Sequence, residues 1–269
     1  PRSTPPIRRQ RQMCIRDSIS IMNDQNKIDY IVGWITDYVS KMPKPAKSLV
    51  VGVSGGIDSA LTSTLASMTG LRTFALSMPI STSSNNTSLG FAHGKWLEDK
   101  FTNTTHKTID LTSTYMEFNS LLTNSDQGSD LGFANTKSRL RMVTLYQVAA
   151  AQSGIVVGTG NKVEDFGVGF YTKYGDGGVD ISPIADLMKS EVVSMATTLG
   201  VDERILHAPP TDGLWDDDRT DEAQLGLSYN DLEHAMENES SHSRHKYSQI
   251  RRLNLHKMEP IPVCKMPKS

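Results

Sequence analysis

The stretch Val51-Gly52-Val53-Ser54-Gly55-Gly56-Ile57-Asp58-Ser59 joins an apolar run to a segment with helical periodicity. The apolar run at 48–53, SLVVGV, predicts a strand buried on both faces, and residues 58–69 predict a helix. A helix that begins directly after a buried strand presents unpaired backbone N–H groups to an anion. Glycines let the backbone approach a phosphate closely, and Ser54 and Ser59 add hydroxyl donors. The stretch therefore predicts a phosphate-binding loop, although it lacks the lysine of a Walker A sequence.

Asp58 is the unusual residue of this loop. A carboxylate repels a phosphate unless a cation lies between them, so Asp58 favours a bound metal ion. Alternatively, Asp58 only caps its own helix, as aspartate often does. The loop alone leaves both interpretations open.

Strands and helices alternate along most of the chain. Further strands are predicted at 73–78, 106–111 and 155–158, and further helices at 28–42, 86–100, 115–122, 131–152 and 188–199. Such alternation is typical of parallel strands joined by crossover helices. We therefore predict an α/β fold, a doubly wound parallel sheet with helices on both faces. Two more helical pieces ending near His256 predict a C-terminal helical elaboration.

Composition excludes several classes of protein. The 269 residues carry 28 basic and 30 acidic side chains, and this net charge of −2 lacks the basic excess typical of nucleic-acid binding. No stretch approaches the ~20 apolar residues of a membrane span. The two cysteines, Cys14 and Cys264, exclude a disulfide scaffold and a cysteine-based zinc site. We expect no nucleic-acid partner, no membrane partner and a cytoplasmic location.

The N-terminal segment departs from this pattern. Residues 1–17 contain five arginines and three prolines without apolar periodicity, and they lack the apolar region of a secretory signal. A transit peptide is one interpretation, and a disordered or non-native leader at 1–21 is the one we favour. We expect a single domain at 22–269 and no loss of stability or turnover when the leader is removed.

The loop SGGIDS resembles the signature of the N-type ATP pyrophosphatases, which cleave ATP between the α and β phosphates. That group includes NAD, GMP, argininosuccinate and asparagine synthetases and several tRNA-modifying enzymes. The second half of the chain is similar to the NAD synthetase family in particular. The similar segments are KSRLRM at 137–142, GTGNKVED at 158–165, FYTKYGDGGVD at 170–180, DLMK at 186–189, PT at 210–211 and HK at 256–257.

This resemblance, which covers about residues 22–260, implies a fold of the adenine nucleotide alpha hydrolase type. It implies ATP-dependent amidation of deamido-NAD by ammonia, giving NAD, AMP and pyrophosphate through an adenylated intermediate. It also implies a homodimer with deamido-NAD bound near the subunit interface. Magnesium would accompany ATP as the cofactor.

The resemblance assigns roles to individual residues. It implies ATP contacts from Gly52, Val53, Ser54, Gly55, Gly56, Ile57, Asp58, Ser59, Thr159, Lys189 and Thr211. It implies deamido-NAD contacts from Arg139, Lys173, Asp180, His256 and Lys257. Magnesium would be held by Asp58 and Glu164, a pair of hard oxygen ligands that suits this ion. We assign catalysis to Asp58 and Lys189, with Asp176 as the acceptor of the ammonium proton.

Each of these residues also has an ordinary structural interpretation. Glu164 could be a solvated loop carboxylate, and Arg139 could belong to the wet face of a helix. Lys189 begins a predicted helix, where a cation opposes the helix dipole unless a phosphate lies nearby, but it could simply face water. At Ser77 the family often has an arginine that reaches ATP, so nucleotide contacts there could be weaker or come from residues 81–86.

Two other functions compete with NAD synthesis. The enzymatic alternative is another pyrophosphatase, such as a GMP synthetase-like amidotransferase half or a tRNA thiolase. The thiolase is disfavoured by the neutral charge and the missing cysteine pair. The non-enzymatic alternative is a nucleotide-binding module, which would require neither Asp58 nor Glu164.

The first prediction concerns the nitrogen source. Glutamine-dependent relatives carry an additional N-terminal hydrolase domain with a cysteine nucleophile, whereas only 27 residues precede Ile28 here. The purified chain should therefore form NAD from ammonium salts and not from glutamine. Product formation is measured with each nitrogen source in turn. Robust synthesis driven by glutamine alone would contradict the prediction.

Overall fold

The computed structural model describes residues 22–80, 85–215, 217 and 219–266. The leader predicted at 1–21 lies outside these residues, as do residues 81–84. Four strands form one sheet with the order β3-β2-β1-β4, and every neighbouring pair is parallel. The strands are β1 (Ser48–Gly52), β2 (Arg72–Ser77), β3 (Thr104–Thr108) and β4 (Gly154–Val157). All four predicted strands are confirmed, with β3 beginning two residues earlier than expected.

The predicted helices are also confirmed, with boundaries that shift by a few residues. They are α1 (Asp24–Lys41), α2 (Ile57–Met68), α3 (Asn85–Lys100), α4 (Thr112–Asn124), α5 (Asp130–Ala151) and α6 (Lys189–Leu199). The C-terminal elaboration consists of α7 (Glu203–Leu206), α8 (Asp221–Leu225), α9 (Tyr229–Glu237) and α10 (Arg244–Met258). None of the helices in the described ranges is long and apolar enough to cross a membrane.

Helices cover both faces of the sheet because successive strand residues point to opposite sides. Leu49 and Val51 of β1 pack on the face covered by α1, α2 and α6. Val50, between them, packs on the other face with residues near α4 and on α5. The doubly wound arrangement predicted from the sequence is therefore confirmed.

The strand order reverses between β1 and β4. The chain runs from β1 to β2 and β3 on one side and then returns to place β4 on the other side of β1. In open α/β sheets, ligands bind outside the carboxyl ends of the strands at such a point of reversal. The loop at 53–56 follows β1 and the segment at 158–161 follows β4, so these two segments begin side by side at the carboxyl edge of the sheet.

Neither the short helix α7 nor the π-helix over Lys162–Val168 was predicted from the sequence pattern. The residue before the π-helix, Asn161, accepts hydrogen bonds from the N–H groups of Val163 and Glu164 at 2.9 and 3.0 Å. The π-helix ends at Gly169, whose φ of +68° favours glycine. A seven-residue π-helix lacks the 3.6-residue periodicity by which amphipathic α-helices are recognised.

The C-terminal elaboration packs against this π-helix. Val163 and Val168 form a buried cluster with Leu225 of α8, Leu232 of α9 and Tyr247 of α10. The elaboration is thereby fixed beside the carboxyl end of the sheet, where it forms a wall of the site described below.

A core substitution tests the packing of the sheet against the helices that cover it. Leu49 is fully buried between β1 and the helices of one face, whereas Leu253 of α10 is 77% exposed. Leu49→Ala should lower the free energy of unfolding by about 2–5 kcal/mol because it leaves a cavity. The matched control Leu253→Ala should change it by less than about 0.5 kcal/mol. Chemical denaturation measures both values, and equal effects would contradict the assigned burial.

Candidate active site

One cleft of about 700 Å³ lies at the carboxyl edge of the sheet. It gathers sixteen of the residues predicted from the sequence, which come from segments far apart in the chain. They are Gly52, Val53, Ser54, Gly56, Ile57, Asp58, Ser59, Arg139, Thr159, Glu164, Lys173, Asp176, Lys189, Thr211, His256 and Lys257. Gly55 and Asp180 do not line the cleft.

The loop after β1 is held by its own serines. Ser59 Oγ donates to the carbonyl of Gly56 at 2.8 Å and accepts from the N–H of Ser54 at 3.1 Å. Gly55 has a φ of +90°, a conformation that side-chain-bearing residues rarely adopt. The residue before α2, Gly56, supplies no capping side chain to the helix N-terminus. The first N–H groups of α2 are therefore available to an anion in the cleft.

A buried ion cluster lies beside this loop. Lys189 Nζ donates to Asp58 Oδ2 at 2.6 Å and to Glu164 Oε1 at 2.8 Å. Only 8% of the Lys189 side chain is exposed, against 17% for Asp58 and 16% for Glu164. Lys189 therefore does not face water, Glu164 is not a solvated loop carboxylate, and Asp58 is not merely a helix cap.

The cluster shifts the pKa values of its members. Burial disfavours the charged Lys189 ammonium, but Asp58 and Glu164 outweigh this effect and hold its pKa above the usual value. Burial and the neighbouring Glu164 raise the pKa of Asp58, although Lys189 opposes them. Burial also acts on Glu164, yet Lys189 and a hydrogen bond from Tyr229 lower its pKa. Two carboxylates thus share one positive charge.

Asn161 connects the two carboxylates and was not among the predicted site residues. Its Nδ2 donates to Asp58 Oδ1 at 2.9 Å, while its Oδ1 accepts from the backbone at the start of the π-helix. The residue is completely buried. It therefore fixes Asp58 relative to the helix that carries Glu164. The motif at 158–165 included Asn161, but only the fold shows that its amide contacts Asp58, 103 positions earlier in the chain.

Two further residues surround Glu164. Tyr229 donates its hydroxyl to Glu164 Oε1 at 2.6 Å and lies 3.1 Å from Asp221 Oδ2. Burial, together with the charge of Glu164, raises the pKa of Asp221 to about 7. These contacts depend on the packing of α8 and α9, so no signal in the sequence could have revealed them.

Basic side chains also line the cleft. Arg139 Nη2 donates to the carbonyl of Lys173 at 3.4 Å, and Lys173 Nζ donates to the carbonyl of His256 at 3.2 Å. Lys257 Nζ donates to the carbonyl of Tyr171 at 2.8 Å. Arg139 is exposed and lines this cleft, and its contact with deamido-NAD stays a prediction.

Asp176 lines the same cleft. Its Oδ1 accepts from Ser138 Oγ at 2.7 Å and from the N–H of Thr172 at 3.0 Å. Its Oδ2 has no hydrogen-bond partner among the described residues. One oxygen thus fixes the carboxylate, and the other is available to a ligand.

Asp180 is placed differently from the other predicted residues. Its carboxylate accepts from the N–H of Val156 at 2.7 Å and from the hydroxyl of Tyr146 at 3.1 Å. It therefore stabilises the end of β4 outside the cleft lining. A contact between Asp180 and deamido-NAD stays a prediction.

β2 ends at Ser77, the position where the family often has an arginine, so this residue brings no positive charge to the cleft. Ser77 Oγ and His106 Nε2 lie 2.8 Å apart. A guanidinium nevertheless reaches this strand end, because Arg141 of α5 donates its Nε to the carbonyl of Met78 at 3.1 Å. Arg141 lines the cleft and was quoted in the motif at 137–142, but nothing in the sequence pattern distinguished it as a site residue.

This fold and cleft define a nucleotide-binding α/β enzyme with an anion loop after its first strand. The chain belongs to the NAD synthase family, whose model matches residues 27–268. Membership of this family decides against the other pyrophosphatases and the non-enzymatic module.

Individual relatives agree with this assignment. The chain is 38% identical over 210 residues to the NH(3)-dependent NAD(+) synthetase of Mesoplasma florum, covering 77% of this chain and 82% of that protein. The NMN synthetase of Francisella tularensis is 29% identical with a TM-score of 0.82, covering 91% of this chain and all of that one. The NH3-dependent NAD synthetase of Campylobacter jejuni is 25% identical with a TM-score of 0.71 and the same coverage.

A substitution at Asn161 tests the geometry of the site. Asn161→Ala removes the acceptor for two buried N–H groups and the donor to Asp58, so the free energy of unfolding should fall by about 1–3 kcal/mol. The control is Asn238→Ala, whose side chain accepts from Ser240 N–H at 3.0 Å on an exposed turn. The control should change stability by less than about 0.5 kcal/mol. Equal losses in denaturant titrations would contradict the bridging role of Asn161.

Proposed function

We propose that this chain forms NAD by joining ammonia to the nicotinate carboxyl group of deamido-NAD, using ATP to activate that group. The observation that carries the proposal is that one cleft is lined by the loop after β1, by the Asp58–Lys189–Glu164 ion cluster and by several basic side chains. Membership of the NAD synthase family and the ammonia-dependent relatives support the same reaction.

ATP occupies the end of the cleft beside the loop after β1. The N–H groups at the start of α2 and the serine hydroxyls bind phosphate oxygens. Thr159 and Thr211, which line the same end, supply further contacts, and Lys189 neutralises phosphate charge. This assignment explains why a buried lysine begins a helix, since an anion nearby offsets the unfavourable helix dipole.

Asp58 and Glu164 fit a magnesium ion by their chemistry. Both carboxylates converge on one cation in the structure, the Lys189 ammonium. Magnesium takes a few carboxylates and completes its shell with phosphate oxygens and water. The described ranges contain no cluster of three or more histidine, cysteine or acidic ligands, so in this proposal the protein supplies two carboxylates and phosphate oxygens and water supply the rest. The ion would neutralise charge on the ATP phosphates.

Deamido-NAD occupies the basic part of the cleft. Its pyrophosphate and carboxylate are anions that suit Arg139, Lys173, His256 and Lys257. Asp180 could contact the substrate only from outside the present cleft lining. A homodimer that completes this part of the site and a cytoplasmic location belong to the same proposal, on the strength of the family resemblance.

The reaction proceeds in two steps that require no protein nucleophile. A nicotinate carboxylate oxygen attacks the α phosphorus of ATP, and the bond to the β-phosphate oxygen breaks to release pyrophosphate. Ammonia then attacks the acyl carbon, AMP leaves, and the surplus proton of the nitrogen passes to a base. Asp176 fills that role, because its Oδ2 is unpaired in the cleft. Catalysis rests on positioning and on neutralised charge.

A second candidate substrate is nicotinate mononucleotide. The solved NMN synthetase matches this fold with the higher TM-score of the two neighbours described above. The mononucleotide would present the same carboxylate to the same reacting centre but lacks the adenylate half of deamido-NAD.

The deciding experiment measures amide formation from both acids with Mg-ATP and ammonium. The proposal expects a higher kcat/KM for deamido-NAD, and Arg139→Ala should raise the KM for deamido-NAD more than it lowers kcat. A higher kcat/KM for the mononucleotide would show that it, and not deamido-NAD, is the substrate. Turnover of neither acid would overturn the proposed function.

Conservative substitutions test the two metal ligands. Asp58→Asn and Glu164→Gln keep side-chain size but remove the charge that magnesium requires. Each should lower kcat by about 10²–10³-fold, because charge stabilisation in the transition state is lost. The measurement is steady-state kinetics at several magnesium concentrations. The control is Asp99→Asn, because Asp99 belongs to an exposed ion pair on the surface. Near-normal kcat in both variants at limiting magnesium would contradict the assignment.

A further inference from the structure

Arg141 carries a positive charge that the protein leaves largely unpaired. Its Nε donates to the carbonyl of Met78 at 3.1 Å, which fixes the guanidinium at the end of β2. Neither Nη1 nor Nη2 has a hydrogen-bond partner among the described residues. Both terminal nitrogens therefore retain donors for a ligand in the cleft that Arg141 lines.

The surroundings of Arg141 make this arrangement costly without a ligand. Burial lowers the pKa of Arg141, although Asp176 and Asp212 oppose the shift. Neither of these aspartates forms an ion pair with Arg141 in the described structure. Arg141 is partly buried, and a guanidinium with reduced access to water is stabilised when an anion accepts from its free N–H groups.

The location of Arg141 indicates which anion that is. The end of β2 adjoins the end of β1, because Val53 N–H donates to the carbonyl of Leu76 at 2.8 Å. On the other side, Ser138 lies three residues before Arg141 on the same helical face and holds Asp176. Arg141 therefore lies between the loop assigned to ATP and the segment assigned to deamido-NAD.

We propose that Arg141 binds the α-phosphate of ATP while the nicotinate carboxylate attacks it. This inference rests on the proposed function. The α-phosphate is the one group bonded to both substrates as the reaction proceeds, so it must lie between their two binding regions. Arg141 offers its two terminal NH₂ groups to the nonbridging phosphate oxygens, and a planar fork suits phosphate geometry.

Arg141 exchanges no proton or electron in this step. The carboxylate oxygen forms a bond to the α phosphorus, the bond to the bridging oxygen of the β-phosphate breaks, and pyrophosphate carries away the negative charge. The free N–H groups stabilise the nonbridging oxygens throughout this transfer. They support the adenylation step in particular, rather than the later attack of ammonia.

The test separates adenylation from ground-state binding. Exchange of labelled pyrophosphate into ATP, with deamido-NAD present and ammonia absent, reports adenylation alone. Arg141→Ala should slow exchange by about 10²–10³-fold, with KM for either substrate changing less than about threefold. Arg141→Lys, which keeps the charge but loses the fork, should be affected less, and added guanidinium should partly restore Arg141→Ala.

Arg72→Lys is the matched control, because Arg72 is exposed at the start of β2, far from the end of the strand that Arg141 contacts. It should exchange at the wild-type rate. Normal exchange in both Arg141 variants, or a raised KM for either substrate with unchanged kcat, would overturn the inference. The inference would also be overturned if added guanidinium did not restore activity to Arg141→Ala and Arg141→Lys lost as much activity as Arg141→Ala. Failure of the wild-type chain to exchange would instead contradict the proposed function.

Discussion

The contact on which the site depends is the Lys189 ammonium held between Asp58 and Glu164. These hydrogen bonds span 131 and 25 positions of sequence, and they tie α6 to the start of α2 and to the π-helix. A buried carboxylate or ammonium is costly alone, so each member of the cluster requires the others. The three segments therefore reach one arrangement together, and the cleft is formed when they do.

The same cluster explains how one cleft can serve the reaction without a protein nucleophile. Two carboxylates directed at a shared cation suit an ion that also binds phosphate, and the lysine supplies positive charge beside it. Asn161 and Tyr229 fix the carboxylates from behind. The charged groups are thereby held in fixed positions, and charges positioned in advance are the condition for electrostatic stabilisation.

Much of the fold was predictable from residues 48–69 and from the alternation that follows, because buried strands and amphipathic helices leave strong periodic signals. Asp58, Glu164 and Lys189 were predicted as site residues from the family resemblance, and the fold brings them together. The π-helix was missed because its hydrogen bonds do not follow the 3.6-residue period. Asn161, Tyr229 and Arg141 were missed as site residues because their contacts join segments that only tertiary packing makes neighbours. Asp180, predicted to contact deamido-NAD, accepts a hydrogen bond from the end of β4 and does not line the cleft, and its contact with the substrate stays a prediction.

The most direct test compares the unfolding free energy of Lys189→Met with that of the triple variant Asp58→Asn, Glu164→Gln, Lys189→Met. Removing the ammonium alone leaves two buried carboxylates without their counter-charge, so stability should fall by about 3–5 kcal/mol. The triple variant should recover most of that loss, because no buried charge is left uncompensated, while its turnover stays at least about 10²-fold below wild type. A Lys189→Met chain as stable as wild type, or a triple variant no more stable than Lys189→Met, would contradict the central role of the ion cluster.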